Sequence, residues 1–119
     1  MGDEESAHAP QLIVTLAGRQ HRFPPGRRVV VARDPDADVV SVNPLVSRKC
    51  HGVLVGDERG AVYTDMSRRG TFLDGRPLRG PLRIDRSLEL RLGDPATGEL
   101  LGITPPLTAD QLERNRTRP

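Results

Sequence analysis

Every apolar stretch in this chain is short and ends at a turn former, and that regularity excludes most folds. Leu12, Val14 and Leu16 alternate with Ile13 and Thr15 up to Gly18, and Gln20 to Phe23 can return as a hairpin partner before Pro24-Pro25-Gly26 breaks the pattern. Arg28 to Ala32 is a β-branched run too short for a helix. Asp34-Pro35-Asp36-Ala37-Asp38 reads as a turn, and Val39 to Val42 stops at Asn43-Pro44. Gly52 to Val55 and Ala61 to Thr64 flank the turn Asp57-Glu58-Arg59-Gly60. Thr71 to Leu73 runs into Asp74-Gly75, a two-residue signal for a tight hairpin with positive φ. Leu88-Glu89-Leu90-Arg91-Leu92 alternates strictly, as a strand with one buried and one wet face does. Glu99 to Ile103 closes the set after Gly93-Asp94-Pro95.

About ten or eleven short strands with no amphipathic helix among them describe an all-β chain folded as a β-sandwich. At 119 residues there is room for one core. Apolar content is 35%, aromatic content 3% and Trp is absent, so that core must be built from Val, Leu and Ile. The expected organisation is a disordered lead-in over 1–10, the sandwich over 11–104, and a tail or linker over 105–119. Within the tail, Thr108 to Arg114 can form a frayed turn of helix capped by Thr108.

The formal charge of +2, from 18 basic and 16 acidic side chains, makes nucleic acid or a membrane surface a poor match as main partner. Every basic residue except Lys49 is arginine. Arginine suits phosphate through its planar fork, but codon bias explains the total equally well, so function must be sought in particular positions. The single cysteine, Cys50, excludes an internal disulfide and fits a reducing compartment. The acidic start, Met1-Gly2-Asp3-Glu4-Glu5-Ser6, does not read as a signal peptide, and no run approaches the ~20 apolar residues of a membrane span. The expected location is the cytoplasm, or the cytoplasmic portion of a membrane protein.

Two loops combine hydroxyls with guanidinium groups: Leu45-Val46-Ser47-Arg48-Lys49-Cys50-His51, and Asp65-Met66-Ser67-Arg68-Arg69-Gly70-Thr71. A third piece, Val29-Val30-Val31-Ala32-Arg33-Asp34, sets an arginine at the end of an apolar run. A sandwich gathers its loops at two ends, so such segments can meet. In order and spacing the three resemble the forkhead-associated (FHA) domain, a phosphothreonine-peptide-binding module, over about Leu12 to Ile103. The resemblance implies that Arg33, then Ser47 and Arg48, then Arg68 and Arg69 converge on one phosphate. It implies no catalytic function, no cofactor and no metal. The implied partner is a phosphothreonine-containing protein or peptide, the substrate of a Ser/Thr kinase. Phosphate chemistry agrees, since a dianion with three strong acceptors calls for a fixed guanidinium and a compact hydroxyl donor.

Three positions depart from the family pattern. Ala32 stands where a glycine usually precedes the arginine. Cys50 falls at the histidine of the S-R-x-H loop, with His51 displaced by one, so Cys50 is expected inside the loop as a small buried hydrophobe. Arg69 replaces an asparagine that bonds peptide backbone, and arginine cannot accept a hydrogen bond. These departures leave two alternatives open: a degenerate module that binds without phosphorylation, and weak binding of a polyanion or nucleic acid. The closing pattern Gly98-Glu99-Leu100-Leu101-Gly102-Ile103 also resembles FHA modules at the amino terminus of actinobacterial ABC transporters.

An enzyme reading fares poorly. Cys50 and His51 suggest a nucleophile and base with Asp57 or Asp65, yet neighbours on a strand face opposite ways. His8, His21 and His51 lack metal-ligand spacing and are expected on the surface or in loops.

Overall fold

The computed structural model describes residues 10–116; the expected lead-in falls almost wholly outside them. Eleven strands follow in chain order: β1 Leu12–Leu16, β2 Arg19–Phe23, β3 Arg28–Ala32, β4 Val39–Val40, β5 Gly52–Asp57, β6 Gly60–Asp65, β7 Thr71–Leu73, β8 Arg76–Pro77, β9 Leu82–Ile84, β10 Leu88–Leu92 and β11 Glu99–Thr104. They form a six-stranded sheet in the order β2-β1-β11-β10-β7-β8 and a five-stranded sheet in the order β4-β3-β5-β6-β9. All the pairings are antiparallel except that of β3 with β4.

The period-2 pattern sets the layers. Leu12, Val14 and Leu16 of β1 are buried opposite Leu101 and Ile103 of β11, which pair in turn with Leu90 and Leu88 of β10. Val29 and Val31 of β3, Leu54 of β5, and Ala61 and Tyr63 of β6 supply the facing layer. The aliphatic core inferred from composition is what forms, with Tyr63 as its largest fully buried side chain.

Asp74 and Gly75 take φ of 51° and 81° between Leu73 and Arg76, so the hairpin read from the sequence forms as a two-residue turn with positive φ at both positions. β8 and β9 are not legible in the sequence, because two or three residues beside Pro77 and Pro81 hold no readable alternation. β4 is shorter than the expected Val39 to Val42. The Ser41 backbone N–H donates to the Ala32 carbonyl and its hydroxyl accepts from Asn43 N–H, which turns the chain away from the sheet.

The tail carries α1, Ala109–Arg116. Gln111 N–H donates to the Thr108 hydroxyl, and Thr108 N–H donates to the Gln111 side chain, a reciprocal cap at the helix start. Ala109 N–H donates to the Glu58 carbonyl in the β5–β6 turn, which ties the helix to the sandwich. Among the described residues no helix is long and apolar enough to cross a membrane.

Gly52 opens β5 under the Tyr63 phenol, and a Cβ there would overlap the ring's hydroxyl end. Gly52→Ala is therefore expected to destabilise the protein by about 1–3 kcal/mol through overpacking, read as a lower midpoint in a urea melt. An unchanged midpoint would mean that Tyr63 can move aside freely.

Candidate functional site

The chain leaves β3 at Arg33 and is immediately zipped to the loop ahead of β5. Arg33 N–H donates to the Ser47 carbonyl at 3.0 Å and Asp34 N–H to the Arg48 carbonyl at 2.8 Å. The Arg33 side chain donates from Nε to the Val46 carbonyl at 2.6 Å. That bond fixes the plane of the guanidinium, and among the described residues no carboxylate pairs with it. The half-buried Ser47 hydroxyl likewise makes no hydrogen bond to the described protein.

His51 holds this loop to the next. Its Nε2 lies 2.9 Å from the Gly70 carbonyl, so Nε2 carries the proton and donates. Nδ1 is then free to accept from Ser47 N–H, also at 2.9 Å. His51 N–H donates to the Val31 carbonyl, and the His51 carbonyl accepts from Met66 N–H, so one residue joins β3, the first loop and the second. The ring is fully buried, and burial lowers its pKa against the opposing pulls of the Gly70 carbonyl and Asp65.

This corrects two expectations. His51 is neither a surface nor a loose loop residue, and Cys50 does not take the histidine's place inside the loop. The loop from Ser47 is one residue longer than S-R-x-H, and that extra residue lets the imidazole still return to Ser47 N–H. Since neighbours face opposite ways, His51 turning inward puts Cys50 outward, half-exposed against the groove. The separation of Cys50 from His51 does hold. Burial raises the Cys50 pKa, partly offset by Arg28. The thiol should accordingly react with a thiol reagent in the native protein, but more slowly at neutral pH than a free cysteine. Failure to label without unfolding would mean that the side chain is enclosed.

The second loop rests on a network that sequence reasoning missed. Asp65 Oδ1 accepts from Ser67 Oγ at 2.7 Å, from Thr71 Oγ1 at 2.8 Å and from Ser67 N–H at 3.3 Å. Gly70 N–H donates to Ser67 Oγ at 2.8 Å. Because Thr71 gives its proton to Asp65, the buried Tyr63 hydroxyl must donate to Thr71, at 2.8 Å. Burial pushes the Tyr63 pKa well up, so it remains a donor at any physiological pH. The legible part of this network is Asp65-Met66-Ser67, where an aspartate two residues before a serine N–H is a turn signal.

All five expected site residues line one open groove of about 730 Å³: Arg33, Ser47, Arg48, Arg68 and Arg69. Lys49 and Cys50 join them, with Pro44, Leu45 and Met66 as an apolar margin. Arg48, Lys49, Arg68 and Arg69 are exposed, and no acidic residue contributes to the lining. Among the described residues there is no cluster of side chains suited to a metal ion. The arrangement presents fixed and mobile guanidinium donors with a hydroxyl, which is chemistry for an oxyanion and supplies no nucleophile paired to a base.

A two-sheet sandwich carries this groove on the loops after β3, before β5 and before β7. The FHA-domain model matches residues 26–94, and the chain belongs to that family. Among solved structures it is similar to FHA-1 of Rv1747 from Mycobacterium tuberculosis, with 32% identity, a TM-score of 0.73, and coverage of 82% of this chain and 97% of that one. The MEK1 FHA domain in complex with a phosphothreonine peptide of HOP1 matches at 21% identity and TM-score 0.67, over 82% and 97% of the two chains. The FhaA FHA domain complexed with the intracellular domain of Rv3910 matches at 22% identity and TM-score 0.64, over 77% and 98%. Comparison with curated proteins gives no significant match.

Proposed function

We propose that this chain binds a phosphothreonine-containing peptide or protein segment through the groove, with Arg33 and Ser47 holding the phosphate and Arg48, Arg68 and Arg69 surrounding it. The observation that carries the reading is the state of Arg33 and Ser47. Arg33 is oriented by its Nε bond to the Val46 carbonyl while its terminal N–H groups stay clear of any carboxylate, and Ser47 keeps its hydroxyl unspent beside it. Donors held in place and left unpaired lose little entropy when an anion arrives. The structure solved with a phosphothreonine peptide, that of the MEK1 domain, supports the same ligand class here.

The module acts by bringing a Ser/Thr kinase substrate to a partner, in the cytoplasm or on the cytoplasmic side of a membrane protein, and performs no chemistry of its own. A role in regulating a fused or partner ABC transporter rests on the Gly98 to Ile103 pattern alone and carries no weight in the tests that follow. The phosphorylation-independent alternative draws on Ala32 and Arg69, but it has lost Cys50 as an argument now that His51 supports the loop.

The decisive measurement titrates the chain with a phosphothreonine peptide library and unphosphorylated controls. Phosphorylated members should bind and their controls should not. Equal binding by both would promote the phosphorylation-independent module. Affinity that tracks phosphate number and salt without regard to peptide sequence would promote a polyanion binder.

A further inference from the structure

Glu99 opens β11 on the six-stranded sheet and is absent from the groove lining, yet its carboxylate reaches across to the chain that leaves β4. The Ser41 hydroxyl donates to Glu99 Oε1 at 2.8 Å, a contact between residues 58 apart in sequence. Ser41 is 1% exposed, and among the described residues Glu99 makes no ion pair. The carboxylate is therefore given over to a buried hydroxyl, and a charged acceptor holds that O–H more firmly than a neutral one would.

From Ser41 an unbroken series of hydrogen bonds runs to the phosphate seat. With its proton directed at Glu99, the Ser41 oxygen accepts from Asn43 N–H at 3.1 Å. Asn43 Oδ1 accepts from Leu45 N–H at 2.9 Å and the Asn43 carbonyl from Val46 N–H at 3.0 Å, closing a turn over 43–46 with Pro44 at its second position. The Val46 carbonyl then accepts from Arg33 Nε at 2.6 Å, the bond that orients the guanidinium. The turn is stiff, so its placement at the Ser41 end decides where that carbonyl lies. The chain after β10 supplies a second support, because the Leu45 backbone packs so closely on Gly93 that a Cβ there would collide with the Leu45 carbonyl. Arg91 Nη1 donates to the Gly98 carbonyl at 3.0 Å and steadies the backbone just before Glu99.

We propose that Glu99 is a positioning residue for Arg33: through Ser41 and the 43–46 turn it fixes the carbonyl to which the guanidinium is tied, and phosphate affinity depends on it although it lies outside the groove. The sign of its effect separates this role from bare electrostatics. Glu99 carries a negative charge on a protein that receives an anion, so by charge alone its removal would tighten phosphopeptide binding. By positioning, its removal weakens binding, because Arg33 must then lose side-chain freedom when the ligand arrives. The consequence for affinity rests on the phosphothreonine reading, whereas the consequence for Arg33 in the free protein does not.

The test compares the whole wild-type chain with Glu99→Ala, Glu99→Gln and Ser41→Ala, each checked by urea melt to be folded under the measuring conditions. NMR of the ligand-free, isotopically labelled protein reads the exchange of the Arg33 Nε–H with solvent. That proton should be protected in the wild type and in Glu99→Gln, which keeps a carbonyl acceptor for Ser41, and should exchange freely in Glu99→Ala and Ser41→Ala. Calorimetric titration with the tightest phosphothreonine peptide of the library, and with its unphosphorylated control, should show binding of the phosphopeptide weakened about three- to tenfold in Glu99→Ala and Ser41→Ala, with Glu99→Gln close to the wild type. In an Arg33→Ala background, Glu99→Ala should weaken binding no further, since the group it positions is gone.

Unchanged protection of the Arg33 Nε–H in Glu99→Ala and Ser41→Ala would overturn the proposal with no ligand involved. Tighter phosphopeptide binding by both Glu99→Ala and Glu99→Gln would overturn it in favour of charge alone. Equal weakening by Glu99→Ala with and without the Arg33 side chain would overturn it by showing that Glu99 acts elsewhere. A wild type that binds phosphorylated and control peptides equally would overturn the phosphothreonine reading, and the exchange measurement would then decide the role of Glu99 by itself.

Discussion

Arg33→Ala is expected to weaken binding of a phosphothreonine peptide roughly ten- to a hundredfold, the loss of a charge-assisted contact worth about 1.5–3 kcal/mol. The size of the effect follows from the local geometry. Arg33 is the half-buried cation of the groove, and its Nε bond to the Val46 carbonyl holds the guanidinium plane before any ligand arrives. An exposed arginine such as Arg48 must lose side-chain freedom to make the same contact, so Arg48→Ala should cost less. Folding should change little, because the backbone bonds from Arg33 N–H and Asp34 N–H to the first loop survive truncation of the side chain. Calorimetry on the cognate phosphopeptide measures both numbers. Equal affinity of wild type and Arg33→Ala would sink the phosphothreonine reading and promote the phosphorylation-independent module.

The sandwich was legible because its long strands obey period 2 and its turns carry their own chemistry. Leu88 to Leu92 and Leu12 to Leu16 could be placed on a core face by alternation alone, and Asp74-Gly75 announced its hairpin. β8 and β9 could not be read, since so few residues have no period to display. The site divides in the same way. Arginines and a serine at loop edges are visible as types, and all five expected residues do reach one groove. What supports them depends on register across strands. Tyr63 reaches Thr71, and Thr71 reaches Asp65, only once β6 and β7 are in place, and the choice between Cys50 and His51 turned on which way a single loop residue pointed. A spacing rule assigned the support to Cys50, whereas hydrogen-bonding capacity favours His51. Only the imidazole can accept from Ser47 N–H and donate to the Gly70 carbonyl at once.

That dual role makes His51→Ala the substitution with the largest expected effect on stability. Truncation removes a fully buried ring and leaves Ser47 N–H without its acceptor, whereas the Gly70 carbonyl keeps Gly93 N–H as a donor. A cavity and one orphaned buried donor together should cost about 2–5 kcal/mol. His51→Gln keeps an acceptor and a donor on one side chain and should recover part of the loss.

The two variants also separate packing from protonation. His51 has a folded-state pKa below its ordinary value of 6.5, so the neutral ring is the form the fold holds. Above that value the ring is neutral in both folded and unfolded chains, and its contribution to stability is complete. As the pH falls below it the unfolded chain takes up a proton that the native state resists, and stability drops until the pH passes the lowered folded value. Protonation would also set an Nδ1–H against Ser47 N–H, two donors facing each other across the loop. Urea melts of wild type and His51→Gln between about pH 5 and 8 should therefore converge as the pH falls, because the glutamine cannot titrate. A constant gap between the two across that range would show that His51 serves as packing alone and that its protonation has no part in holding the two loops together.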